Sequence, residues 1–95
     1  MPTETSSFAQ RYDSVLVPVI FRPWAQEMIR RAAPQDGEAV LDLACGTGVV
    51  TCELAASGVK PSSLTAIDHS ADMLAVARQR AADQGVNATW LQADA

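Results

Sequence analysis

The sequence predicts an α/β protein, the first β-α-β-α-β half of a doubly wound parallel sheet preceded by N-terminal helices. Three observations carry this expectation. A short, nearly continuous apolar run at 39–44 has the length and composition of a buried strand, and 64–68 and 88–92 read as a second and a third strand. Between them lie two segments of helical spacing, followed by Gly58 and Gly85 as stops. Finally, "VLDLACGTG", residues 40–48, places an acid inside the first apolar run, just ahead of a glycine turn. Alternation of this kind joins parallel strands through crossover helices.

Taken in order, residues 1–7 are polar and expected to be flexible. Residues 8–36 read as an N-terminal helical segment, a candidate lid. Apolar residues recur there at helical spacing from Phe8 to about Ala33, interrupted by Pro18 and Pro23. Proline inside a helix removes a hydrogen bond and clashes with the preceding turn. Two or three short helices are therefore expected, the last starting near Pro23, which suits a first helical turn. Trp24, Met28 and Ile29 are expected to line its buried stripe, and "PQDG", 34–37, is turn chemistry.

Residues 37–95 then hold the β-α-β-α-β unit. "AVLDLA" reads as a strand buried on both faces. The helix over 48–57 places Val50, Leu54 and Ala55 at helical spacing. Ser70 can cap a helix from Ala71 to Gln84, with Asp72 favourable in its first turn. Both crossovers should be right-handed, so strands added in one direction put both helices on one face. The other face would then be bare, and the first strand would keep a free edge. The chain thus reads as half of a larger doubly wound domain.

Composition narrows the function classes. Of 95 residues, 48% are hydrophobic and 19% charged, which is globular rather than disordered. Net charge is -4 and no basic cluster exceeds Arg30-Arg31, which argues against nucleic acid as a partner. The start, "MPTETSSFAQ", has no basic n-region, and no apolar run approaches the ~20 residues of a membrane span. No membrane partner and a cytoplasmic location are expected. Cys45 and Cys52 are the only cysteines and His69 the only histidine, too few for a zinc site, so no metal is expected. The cysteines read as small apolar fillers in a reducing compartment.

A strand, a glycine turn and a helix suit a cofactor bearing phosphate or adenosine, because glycine lets a ligand approach the backbone closely. A phosphate-binding P-loop would need Gly-Lys-Ser/Thr, and position 49 is Val. A dinucleotide turn wants G-x-G-x-x-G. Here Gly46-x-Gly48 is followed by Thr51 in the third slot, and a frame begun at Ala44 puts Val49 there. Neither frame fits, which leaves NAD(P) a lesser alternative. Asp68 follows Gly48 by 20 residues at the end of the second strand, where an acid meets ribose hydroxyls in such folds. Asp94 ends the third strand, and open α/β sheets bind ligands at strand carboxyl ends.

"VLDLACGTG" resembles the first motif of the class I S-adenosylmethionine-dependent methyltransferases, which have a Rossmann-like fold. "AIDHSADMLAVAR" resembles their second strand with its ribose-binding acid, and "ATWLQADA" their third strand with its adenine-binding acidic turn. "FAQRYD" and "FRPWA" resemble the N-terminal segment of the quinone-biosynthesis branch and similar small-molecule enzymes. Ala44 departs from the pattern, which most often has glycine there. The resemblance implies S-adenosylmethionine as cofactor, S-adenosylhomocysteine as product, and a small-molecule methyl acceptor. It implies Asp68 for the ribose, Asp94 for the adenine amino group and the Ala95 N–H for a ring nitrogen. It also sets Ala44, Gly46 and Gly48 as the cofactor turn, and His69 and Met73 beside ribose and adenine.

Asp42 suits this cofactor better than a dinucleotide. Phosphates would be repelled by it, whereas the methionine part of S-adenosylmethionine carries an ammonium and a sulfonium. Tyr12, Arg22 and Trp24 are candidates for a helical lid, with plain packing as the other reading, favoured for Trp24. Cys45 is not proposed as a nucleophile, since transfer from a sulfonium needs none. In the family the acceptor pocket and any general base come from the fourth strand onward, so no catalytic residue is named. The alternative is a non-catalytic half-domain that binds adenosyl ligands weakly or self-associates through its uncovered sheet.

Overall fold

A computed structural model describes residues 4–94. The helical stretches at the N-terminus follow one another without a break: α1 (Glu4–Arg11), a π-helical strap (Tyr12–Phe21) and α2 (Arg22–Ala32). The first helix opens at Glu4, inside the stretch expected to be flexible; residues 1–3 lie outside the described ones. Pro18 does not divide the helical path as expected. Proline crowds the carbonyl four residues back and lacks an N–H, and the wider i→i+5 winding carries the chain past it. Pro23 sits in the first turn of α2, as expected.

The buried stripe of α2 differs from expectation. Ala25 is buried, whereas Trp24 is 67% exposed and Met28 is exposed as well. The reason is the direction in which α2 docks. Ala25 packs with Val49 at the start of α3 (Val49–Ala56), with Tyr12, Phe21 and Val50 against them. On the same side, Arg22 pairs with Glu53 of α3 at 3.1 Å. Trp24 and Met28 fall on the next stripe, one turn apart.

Three parallel strands, β1 (Ala39–Leu43), β2 (Ser63–Asp68) and β3 (Thr89–Gln92), form a sheet in that order. Register aligns Asp42 with Ala66 and Ala66 with Trp90, while Leu43, Ile67 and Leu91 line up on the opposite face. The first face holds the core: Cys45, Ala66 and Leu74 cluster there, with Trp90 against them. The second face is largely open among the described residues, with Leu43 lining a cleft against Ile20, Phe21 and Trp24. Leu41 and Leu43 are 56% and 57% exposed, and Leu91 is exposed too. β1 is therefore covered on one face only, which corrects the reading of it as doubly buried. The helices gather on the Ala66 side, in keeping with crossovers of one hand.

In α3, Leu54 is buried as expected, but Val49, Thr51 and Cys52 join it while Val50 and Ala55 are half-buried. α3 contacts both α2 and α4 (Ala71–Gln84), so its covered arc is wider than one stripe. α4 starts at Ser70, whose Oγ accepts from Met73 N–H at 3.2 Å, and ends at Gly85 in the left-handed region. No helix among the described residues is long and apolar enough to cross a membrane.

Candidate functional site

The turn between β1 and α3 holds three residues in the left-handed region: Ala44 (φ +55°), Gly46 (φ +56°) and Gly48 (φ +81°). Sheet bonding continues into it, since Cys45 N–H donates to Ile67 O at 2.9 Å, and Gly48 N–H closes the turn onto Cys45 O at 2.9 Å. Its glycines serve different needs. A Cβ at Gly48 would lie 3.0 Å from the Trp90 ring and 3.2 Å from Ala77 Cβ, so a side chain there would crowd both. A Cβ at Gly46 would meet only the Tyr12 hydroxyl, at 3.9 Å, and otherwise open space.

Asp68, buried at the carboxyl end of β2, ties this turn to the next one. Its Oδ2 accepts from Gly46 N–H at 2.8 Å and its Oδ1 from Ser70 N–H at 2.9 Å. A carboxylate held by two backbone donors has a fixed direction, and each oxygen retains a second lone pair for a ligand. His69, exposed, places Nδ1 3.7 Å from Asp68 Oδ1. Asp42 is anchored from the other side: its Oδ2 accepts from Thr51 Oγ1 of α3 at 2.7 Å. Burial pushes the Asp42 carboxyl up, the Thr51 hydroxyl and N–H pull it back, and the Asp68 charge adds to the rise.

Two clefts meet at this turn. The first, of about 360 Å³, is lined by Tyr12, Ala44, Gly46, Asp68, His69 and Met73, with Phe8 at its side. The second, of about 370 Å³, has Ile20, Phe21, Trp24 and Met28 on its helical wall and Asp42 on its sheet wall. Tyr12, Ala44 and Gly46 line both. The Tyr12 ring stacks on Phe21, centroids 5.1 Å apart and planes 18° apart. Burial, then the Asp68 charge, raises the Tyr12 hydroxyl above its ordinary range.

The structure thus brings together Tyr12, Asp42, Ala44, Gly46, Asp68, His69 and Met73. It does not bring Gly48, which packs in the core and lines neither cleft. Asp94 is exposed beyond β3 and lines neither, and Ala95 lies outside the described residues. Arg22 is held by Glu53, away from both clefts, whereas Trp24 walls the second. The packing role favoured for Trp24 is overturned by its exposure. Cys45 is buried and its thiol is pushed up to about 12, first by burial and then by the Asp42 and Asp68 charges. It stays a thiol at neutral pH, which suits a filler. Sequence reading missed Phe8, Phe21 and Met28 as cleft residues; their intervals from Tyr12 and Trp24 were the available signal.

A three-stranded parallel sheet with crossover helices and a glycine turn after its first strand is part of the Rossmann-like fold of the class I S-adenosylmethionine-dependent methyltransferases. Residues 40–95 match a methyltransferase domain family, and the chain belongs to it. The ubiquinone/menaquinone biosynthesis C-methyltransferase UbiE of Rubrivivax gelatinosus is 40% identical over 78 residues, 79% of this chain and 30% of that relative. An S-adenosylmethionine-dependent methyltransferase from Clostridium acetobutylicum superposes with a TM-score of 0.68 at 27% identity, covering 93% of this chain and 36% of that one. The DhpI–SAH complex superposes with a TM-score of 0.65 at 32% identity, covering 94% and 41%. The chain spans about a third of the length of the curated relatives it matches.

Proposed function

We propose that this chain holds S-adenosylmethionine across the open end of the glycine turn, for methyl transfer to a small-molecule acceptor. The observation that carries the reading is the meeting of two clefts at Ala44 and Gly46, with one acid on each side. Asp68, with His69 and Met73 beside it, takes the ribose and adenosine side. Asp42 takes the methionine side, where a cation would favour its charged form over the neutral form that burial promotes. The second cleft, apolar on its helical wall, receives the acceptor. Asp94 and Ala95 are assigned to the adenine by family resemblance.

When bound, S-adenosylmethionine supplies an electrophilic methyl group. The residues of this chain act by orientation. Asp68 is pre-set by two backbone donors, and the turn leaves the ligand room at Gly46. The Tyr12–Phe21 wall keeps water from the junction of the clefts. The relatives named for quinone biosynthesis support a quinone-like acceptor ring. The buried, free thiols of Cys45 and Cys52 support a reducing, cytoplasmic setting.

Calorimetric titration with S-adenosylhomocysteine, with NAD as control, tests the cofactor reading. Saturable binding of the first alone, lost in Asp68→Ala, is expected; binding of NAD or of neither would overturn it. The exposed leucines at 41, 43 and 91 favour a second reading, self-association through the bare sheet face. Sedimentation of the ligand-free chain separates the two, since that reading requires a dimer that Leu43→Lys dissolves.

A further inference from the structure

The N-terminal strap is fastened at both ends to the crossover helices. Asp13, the residue after Tyr12, forms an ion pair with Arg80 of α4, their side chains only 21% and 12% exposed. At the other end Arg22, the residue after Phe21, pairs with Glu53 of α3, and Gln26 Nε2 donates to the same carboxylate at 3.3 Å. Between these points Val15, Leu16, Val19 and Ile20 are exposed, so burial does not place the middle of the strap. Amphipathic packing normally sets where a helix lies; here the ends set it, through Tyr12 and Phe21 against Ala25 and Val49 and through the two ion pairs. The two rings next to the fasteners, Tyr12 and Phe21, stack on each other above the turn.

We propose that Asp13–Arg80 and Arg22–Glu53 are positioning pairs that hold the Tyr12–Phe21 stack over the glycine turn, where the two clefts meet and the cofactor would lie. The proposal rests on the cofactor reading above. Tyr12 lines both clefts and Phe21 only the second, which places the stack at their junction. The pairs are unequal. Asp13–Arg80 is largely withdrawn from water, and removing one partner leaves a charge buried without its counter-ion. Arg22 is 42% exposed, so its pair is screened and holds more weakly.

The test is calorimetric titration of the full chain with S-adenosylhomocysteine, with folding checked by circular dichroism. Arg80→Gln is expected to raise Kd about tenfold. Asp13→Arg combined with Arg80→Asp should restore most of that loss. In a Tyr12→Ala background, Arg80→Gln should have no further effect, because there is no ring left to hold. Unchanged affinity in Arg80→Gln overturns the positioning role, and so does an equal loss in the Tyr12→Ala background, which would mean general loosening. If Arg80→Gln does not fold, Arg22→Gln carries the same cycle, with an expected loss of about two- to threefold that vanishes with Tyr12. Failure of the unmodified chain to bind overturns the cofactor reading itself, and this role with it.

Discussion

Ala44 and Gly48 stand four residues apart in one turn and share a left-handed backbone, yet they answer to different demands. Ala44 is exposed and lines both clefts. Gly48 lines neither; Trp90 and Ala77 press on it from the core. A glycine motif therefore divides its permissive positions between ligand approach and close packing. Gly46 falls on Ala44's side of that division, because only the Tyr12 hydroxyl would come near an added Cβ.

The sharpest way to break the comparison is Gly48→Ala. Left-handed strain costs about 1–2 kcal/mol and overpacking against Trp90 and Ala77 a further ~1–3 kcal/mol. A combined loss near 2–5 kcal/mol takes much of a small domain's stability. Urea unfolding is expected to show a large drop in midpoint or no folded baseline. A midpoint close to that of the unmodified chain would mean that Gly48 is not packed as described.

At the open end the expected change has the opposite sign. Ala44→Gly removes about 1–2 kcal/mol of backbone strain, while the looser unfolded chain takes back about 0.4–1 kcal/mol. A net gain of up to about 1.6 kcal/mol in chemical denaturation follows from these. A loss would show that the alanine side chain makes contacts that outweigh its strain.

The smallest effect is a slope. Burial raises Asp42, so the folded chain keeps this proton to higher pH than the unfolded chain does. Over the interval between its unfolded and folded values the native state binds more protons, and stability falls as pH rises. Asp42→Asn removes that part of the slope while leaving an oxygen for Thr51 Oγ1. As pH rises through that interval, the unfolding free energy of the variant should gain on that of the unmodified chain. Parallel slopes would remove burial as the cause.

Much of the fold was legible because its signals are local. Ser70 and Gly85 bound α4 as capping chemistry requires, and the three expected strands form one parallel sheet. Asp68 was legible from its place at a strand end and Asp42 as an acid inside an apolar strand, and both line a cleft; Asp94, read by the same strand-end rule, lines neither. What could not be read depends on distant partners. Helical spacing groups Trp24 with Met28 and Ala25 with Ile29, but only the docking on α3 decides which pair faces inward. The packing role of Gly48 depends on Trp90, which belongs to a different strand. The strap that runs through Pro18 likewise meets a distant partner, Arg80 of α4, which pairs with Asp13.

Titration of Gly46→Ala with S-adenosylhomocysteine bears most directly on the claim that the open end of the turn is the cofactor site. The variant should fold, since Ala44 already carries a side chain at nearly the same backbone angle and the space over Gly46 is open. The expected result is a cooperative unfolding transition together with loss of binding, because the new methyl occupies the junction of the clefts. A folded Gly46→Ala chain that binds S-adenosylhomocysteine as tightly as the unmodified chain would contradict the claim.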